Sequence, residues 1–169
     1  MIYVIKNKIV SLGASSTVRD EQGNDRYFVK GKIFTLSKKK YIMDAERKTV
    51  FYRVRNKIFH ILLPKVYVED PNGQKLIMLK KEKLFSFKQN FICIPQNGSD
   101  MNISIDGDYI SRNCTILENG MPLAKLRRNF NLIKDSFMLD IEDDSKAPLA
   151  IALVIAFDNY YDKLLDQDR

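Results

Sequence analysis

The chain has 169 residues, 45% of them hydrophobic, with seven Gly, five Pro and no Trp. That size and composition can bury a full core and exclude a disordered or fibrous chain, so one ordered globular domain spanning 1–169 is expected. The net charge of +7 hides an asymmetry: residues 1–83 carry 19 Lys and Arg against 8 Asp and Glu, whereas residues 84–169 carry 9 against 13. The positive field therefore belongs to the N-terminal half. Such a field attracts nucleic acid, anionic lipid or acidic protein surfaces without choosing among them.

The opening Met1-Ile2-Tyr3-Val4-Ile5 reaches Lys6 and Lys8 too soon to form the apolar core of a signal peptide, so a cytoplasmic location is expected. From there the chain repeats itself. Residues 3–10, 27–34, 52–59 and 78–85 superpose, each reading as a β-branched or aromatic strand, a basic-x-Lys step and a second apolar pair. Each is followed by a second strand, at 17–19, 41–43, 66–68 and 91–94. Turn chemistry then closes the unit: Asp20-Glu21-Gln22-Gly23, Asp44-Ala45-Glu46, Glu69-Asp70-Pro71-Asn72-Gly73 and Gln96-Asn97-Gly98. Two weaker units follow, 103–110 with 114–117 and 124–130 with 137–141. The first ends in Glu118-Asn119-Gly120 and the second in Glu142-Asp143-Asp144. Six units of two strands predict about twelve short antiparallel strands over 1–146.

The last segment differs. Residues 148–157 hold neither a charge nor a hydroxyl, and a helix apolar on every side must be enclosed. Pro148 suits a first helical turn, while Asp143, Asp144 and Ser145 can cap and complement its N-terminus, which predicts a helix over 148–166. A bilayer would need roughly 20 apolar residues, twice what is present before Asp158, Asp162 and Asp166 intervene. A protein container is therefore expected. An eight-stranded barrel fills itself, whereas eleven strands enclose a helix, so twelve strands leave room for 148–166. The predicted class is α+β, mostly antiparallel β: a closed twelve-stranded barrel of six hairpin-like repeats around a C-terminal hydrophobic helix.

The repeated units typified by Val29-Lys30-Gly31-Lys32-Ile33-Phe34-Thr35-Leu36, the Asp/Asn-Gly turns and the run Ala147-Pro148-Leu149-Ala150-Ile151-Ala152-Leu153-Val154 resemble the LURP-one-related family, a branch of the tubby C-terminal-like superfamily. The resemblance covers essentially the whole chain. It implies a twelve-stranded barrel around a hydrophobic helix. A non-enzymatic binding or scaffold role is the function expected of the chain. Within the superfamily, tubby proteins bind phosphoinositides, phospholipid scramblases act at membranes, and plant members are linked to defence. The resemblance carries no lipid-contacting residue onto this chain.

Two columns of cations are the most distinctive polar feature: Lys6, Lys30, Arg55 and Lys81, with Lys8, Lys32, Lys57 and Lys83 beside them. Residues two apart on a strand share a face, so stacked hairpins are expected to align these pairs into an outer basic band. Such a band either solvates the barrel or binds anionic phospholipid headgroups at a membrane surface. A protein partner with no lipid role is the competing expectation, and nucleic acid is not expected. Lys38, Lys39 and Lys40 read as a second basic cluster in a loop, and Phe85, Phe87 and Phe91 as an inward strand face.

Little points to chemistry. His60 is the only histidine and stands between Phe59 and Ile61, without a nucleophile motif. Cys93 and Cys114 lie far apart with no metal-ligand spacing and read as buried free thiols. Asp143 and Asp144 are better explained by the helix dipole than as an acid/base pair. Neither a catalytic residue, a cofactor nor a metal is expected.

Overall fold

Alternation of apolar and polar residues, punctuated by turn residues, produces a run of short strands before a C-terminal helix. The computed structural model describes residues 1–6, 15–32, 39–56, 65–81, 91–109, 111–128 and 136–167. The strands are β1 (Ile2–Lys6), β2 (Ser16–Asp20), β3 (Asp25–Lys32), β4 (Lys39–Asp44), β5 (Val50–Asn56), β6 (Val66–Glu69), β7 (Lys75–Lys81), β8 (Phe91–Pro95), β9 (Ile103–Asp108), β10 (Asn113–Glu118), β11 (Met121–Arg128) and β12 (Ser136–Asp140). All pair antiparallel in one twelve-stranded sheet, ordered β8-β7-β6-β5-β4-β3-β2-β1-β12-β11-β10-β9. The first strand pairs with the last, Ile2 opposite Asp140 and Lys6 opposite Ser136. The ends of the order, β8 and β9, lie beside each other, so the sheet curls into a nearly closed barrel.

Local chemistry explains the turns. Asn119-Gly120 joins β10 to β11 with φ of 53° and 79°, and Asn97-Gly98 follows β8 with 52° and 76°. Positive φ at both central residues is what Asn-Gly supplies and most residue pairs resist.

The helix α1 (Ala147–Gln167) begins directly after a 3-10 turn, Asp144–Lys146. Asp143 caps that turn, its carboxylate accepting from the Ser145 backbone N–H at 3.0 Å. Three contacts then fasten the helix entrance to the wall. The Tyr3 hydroxyl donates to Asp144, Arg26 reaches Asp144 at 3.7 Å, and Lys146 pairs with Glu118 at 2.8 Å. Every residue from Ala147 to Tyr160 is buried. The helix therefore serves as the core, as its uninterrupted apolarity demands.

It does not sit centrally. Its backbone runs closest to β5 and β6, then to β4 and β7. Side-chain size follows: the near wall presents Val54, Val66 and Val68, whereas the far wall fills the wider gap with Tyr3, Phe137, Leu126 and Leu139. Fully burying each of these larger side chains contributes about 2 kcal/mol of apolar transfer.

Candidate anion-binding face

Alternation settles the outer surface of β3 to β7. Val29, Ile42, Val54, Val68, Ile77 and Leu79 are buried inward, which turns their neighbours Lys30, Lys39, Arg53, Arg55 and Lys80 outward. These cations surround two tyrosines. Arg53 lies over the Tyr41 ring at 5.6 Å; Arg55 and Lys75 lie over the Tyr67 ring at 5.7 and 4.7 Å. The stacking stretches the cations flat along the wall, burying Tyr67 although it belongs to the outer side.

A buried carboxylate interrupts the field. Glu69 is 3% exposed and accepts from Arg55, Nη2 at 2.6 Å and Nε at 2.7 Å from the same Oε1. A buried carboxylate demands such a partner, so Arg55 is spent on Glu69 and serves the wall more than any ligand. Lys30 is exposed, and Lys39, Lys75 and Lys80 are half-exposed.

The expected columns are not level. Across the ladder Lys30 faces Tyr41, which faces Arg53, whereas Arg55 faces Lys39, which faces Lys32. Repeat-equivalent residues are therefore displaced by two positions from β3 to β5, and Lys30 does not lie beside Arg55. The cause is the stagger that closing a tilted sheet requires, with a bulge at Ile42/Met43 between β4 and β5. The contiguous row is Lys32-Lys39-Arg55. Lys6, Lys32 and Lys81 close their strands with only the backbone described, and Lys8, Lys57 and Lys83 lie outside the described residues, as do Lys38, His60, Phe85 and Phe87.

The lysine cluster also divides. Residues 39–44 form a strand rather than a loop, and Lys40 alternates with Ile42 on the inner side, 5% exposed. Inside the lumen its charge acts on Asp158 of α1. Asp158 is 2% exposed, ion-paired to Arg112, and accepts from the Tyr109 hydroxyl at 2.7 Å. Burial drives its pKa upward, while Arg112, Tyr109 and Lys40 pull it back without cancelling the rise. The thiols are quiet too. Burial pushes the half-buried Cys93 up to about 12 and the buried Cys114 up to about 11.

A family model described as LURP-one-related matches residues 1–158. The chain belongs to the LURP-one-related family. Among solved structures, a protein of Arabidopsis thaliana determined by X-ray crystallography is similar, with a TM-score of 0.60 and 17% identity over 93% of this chain and 90% of that one. At that identity the likeness speaks for the fold. Among curated proteins no sequence matches significantly.

For this LURP-one-related chain, sequence reasoning missed Arg53, Lys75 and Lys80, which build the basic wall with Lys30 and Lys39. The signal was present around Val54 and Leu79, where cations alternate with buried apolar residues. It also missed the internal node. Asp158 follows Val154 by one helical turn on a helix buried through Tyr160, and an acid there requires a cation from the wall. Among the described residues no helix is long and apolar enough to cross a membrane, and no group of three metal-ligating side chains forms.

Proposed function

We propose that this chain is a non-enzymatic binding module whose β3–β7 wall engages anionic phospholipid headgroups. One observation carries the reading: Lys30, Lys39, Arg53, Lys75 and Lys80 occupy one outer wall, and Glu69, the carboxylate set among them, is already neutralised by Arg55. The wall thus offers surplus cations, two of which, Arg53 and Lys75, lie over tyrosine rings. Each Lys or Arg near an anionic membrane contributes about 1 kcal/mol, so five make reversible, salt-sensitive attachment reachable without insertion. Tyr41 and Tyr67 hold the Arg and Lys stems against the barrel, which lowers the entropy lost when a headgroup is bound. The raised thiol pKa values argue against Cys93 or Cys114 as a nucleophile.

Cosedimentation with vesicles of neutral phosphatidylcholine, with and without anionic lipid, tests this at low and high salt. The expected result is binding to the anionic vesicles alone, lost at high salt. A protein that ignores both vesicles refutes the lipid reading and transfers the wall to an acidic protein partner, for which its Arg and Tyr content is also suited.

A further inference from the structure

The opposite wall carries a cavity of about 350 Å³ on the outside of β10, β11 and β12, within the size range of small-ligand sites. Its origin is a bulge. The register between β10 and β11 shifts after Ile116, which faces Ala124, while Leu117 faces Pro122, so Leu123 has no opposite residue. The extra residue bends β11 and opens space over Thr115, giving an apolar floor at Leu123.

Four charges rim this floor: Lys125 and Arg127 from β11, Asp140 from β12, and Glu142 just after it. Lys125 stands directly opposite Asp140 in the ladder, the arrangement that normally yields a cross-strand ion pair. Yet among the described residues none of the four is in an ion pair. Two cations and two anions thus face the same cavity unspent. We infer that this cavity is a binding site for a small zwitterion of dipeptide size, its carboxylate held by Lys125 and Arg127, its ammonium by Asp140 and Glu142, and its apolar side chain on Leu123. This site is independent of the basic wall, which lies across the barrel on β3 to β7.

Backbone amide NMR of the full chain, titrated with alanyl-leucine, tests the inference. Expected are shifts centred on Thr115, Leu123, Lys125, Arg127, Asp140 and Glu142 and their immediate chain neighbours. Acetylating the peptide's amine or amidating its carboxylate should each weaken binding about fivefold, the scale of one exposed ion pair. K125Q/R127Q should abolish the penalty of amidation and leave that of acetylation. D140N/E142Q should do the reverse; if it does not give a native spectrum, E142Q alone should diminish the acetylation penalty. Absence of localised shifts up to about 10 mM peptide, shifts elsewhere, or penalties that do not follow the two charge pairs would each overturn the assignment.

Discussion

Arg112 reaches from the turn between β9 and β10 to Asp158 on the buried helix, and its guanidinium lies between the rings of Tyr109 and Phe137, 4.8 and 4.9 Å from their centroids. The backbone at Arg112 is left-handed, with φ of 59°, a conformation most residues avoid. Tyr109 adds a second tie, its hydroxyl lying 3.0 Å from the Val154 carbonyl oxygen as well as 2.7 Å from Asp158. One turn thus holds the second half of α1, as Tyr3 and Lys146 hold its entrance.

Breaking that tie from one side strands a buried charge. Arg112→Met should cost on the order of 3 kcal/mol, whereas Arg112→Met with Asp158→Asn should recover part of the loss, because the neutral amide needs no cation. Urea unfolding of the two single variants and the double variant measures the coupling. Additive losses would show that the pair contributes nothing beyond packing.

The same carboxylate sets a pH dependence. Its folded pKa is raised, chiefly by burial, above the unfolded value, so the folded chain binds this proton more tightly than the unfolded one does. The stability this contributes is full below the unfolded pKa and is lost as pH rises through the folded one. Relative to wild type, Asp158→Asn should therefore gain stability as pH climbs out of the acid range. Thermal unfolding of both chains across that range checks the sign, and a difference that shrinks with rising pH would contradict it.

The helix is the core. Leu153 and Ile155 are 0% and 1% exposed, so Leu153→Asp or Ile155→Asp buries an unpartnered carboxylate at a cost of several kcal/mol. Removal of residues 147–169 should go further, since a barrel wide enough for a helix cannot collapse to fill itself. Dispersed amide resonances from residues 1–146 alone, or cooperative unfolding of the Asp variants near the wild-type midpoint, would disprove this dependence.

Strand number, strand positions and the buried helix were legible because each rests on local signals: period-two alternation, Asn-Gly turns and ten consecutive apolar residues. Stagger was not. Whether Lys30 lies beside Arg53 or Arg55 depends on how far the whole sheet tilts to close, which no single hairpin encodes. Lys40 was misplaced because three consecutive lysines outweighed its alternation with Ile42. The internal node escaped because no local pattern tells which wall residue meets Asp158.

The lipid reading makes the sharpest demand on the side chains. Lys30, Lys39, Lys75 and Lys80 leave the barrel on its basic wall, and Arg55 must be spared because its loss would leave Glu69 buried without its partner. Exchanging the four lysines for Gln retains polar side chains, so the melting curve should change little, while binding to anionic vesicles should fall by roughly 4 kcal/mol, about three orders of magnitude at low salt. In the unmodified chain, salt should achieve the same weakening as the Debye length contracts from about 10 Å at 0.1 M to about 3 Å at 1 M. Arg55→Gln should behave oppositely, lowering the melting midpoint more than the affinity. If the fourfold variant keeps both its melting curve and its affinity, the wall merely solvates the barrel, and the headgroups are met elsewhere.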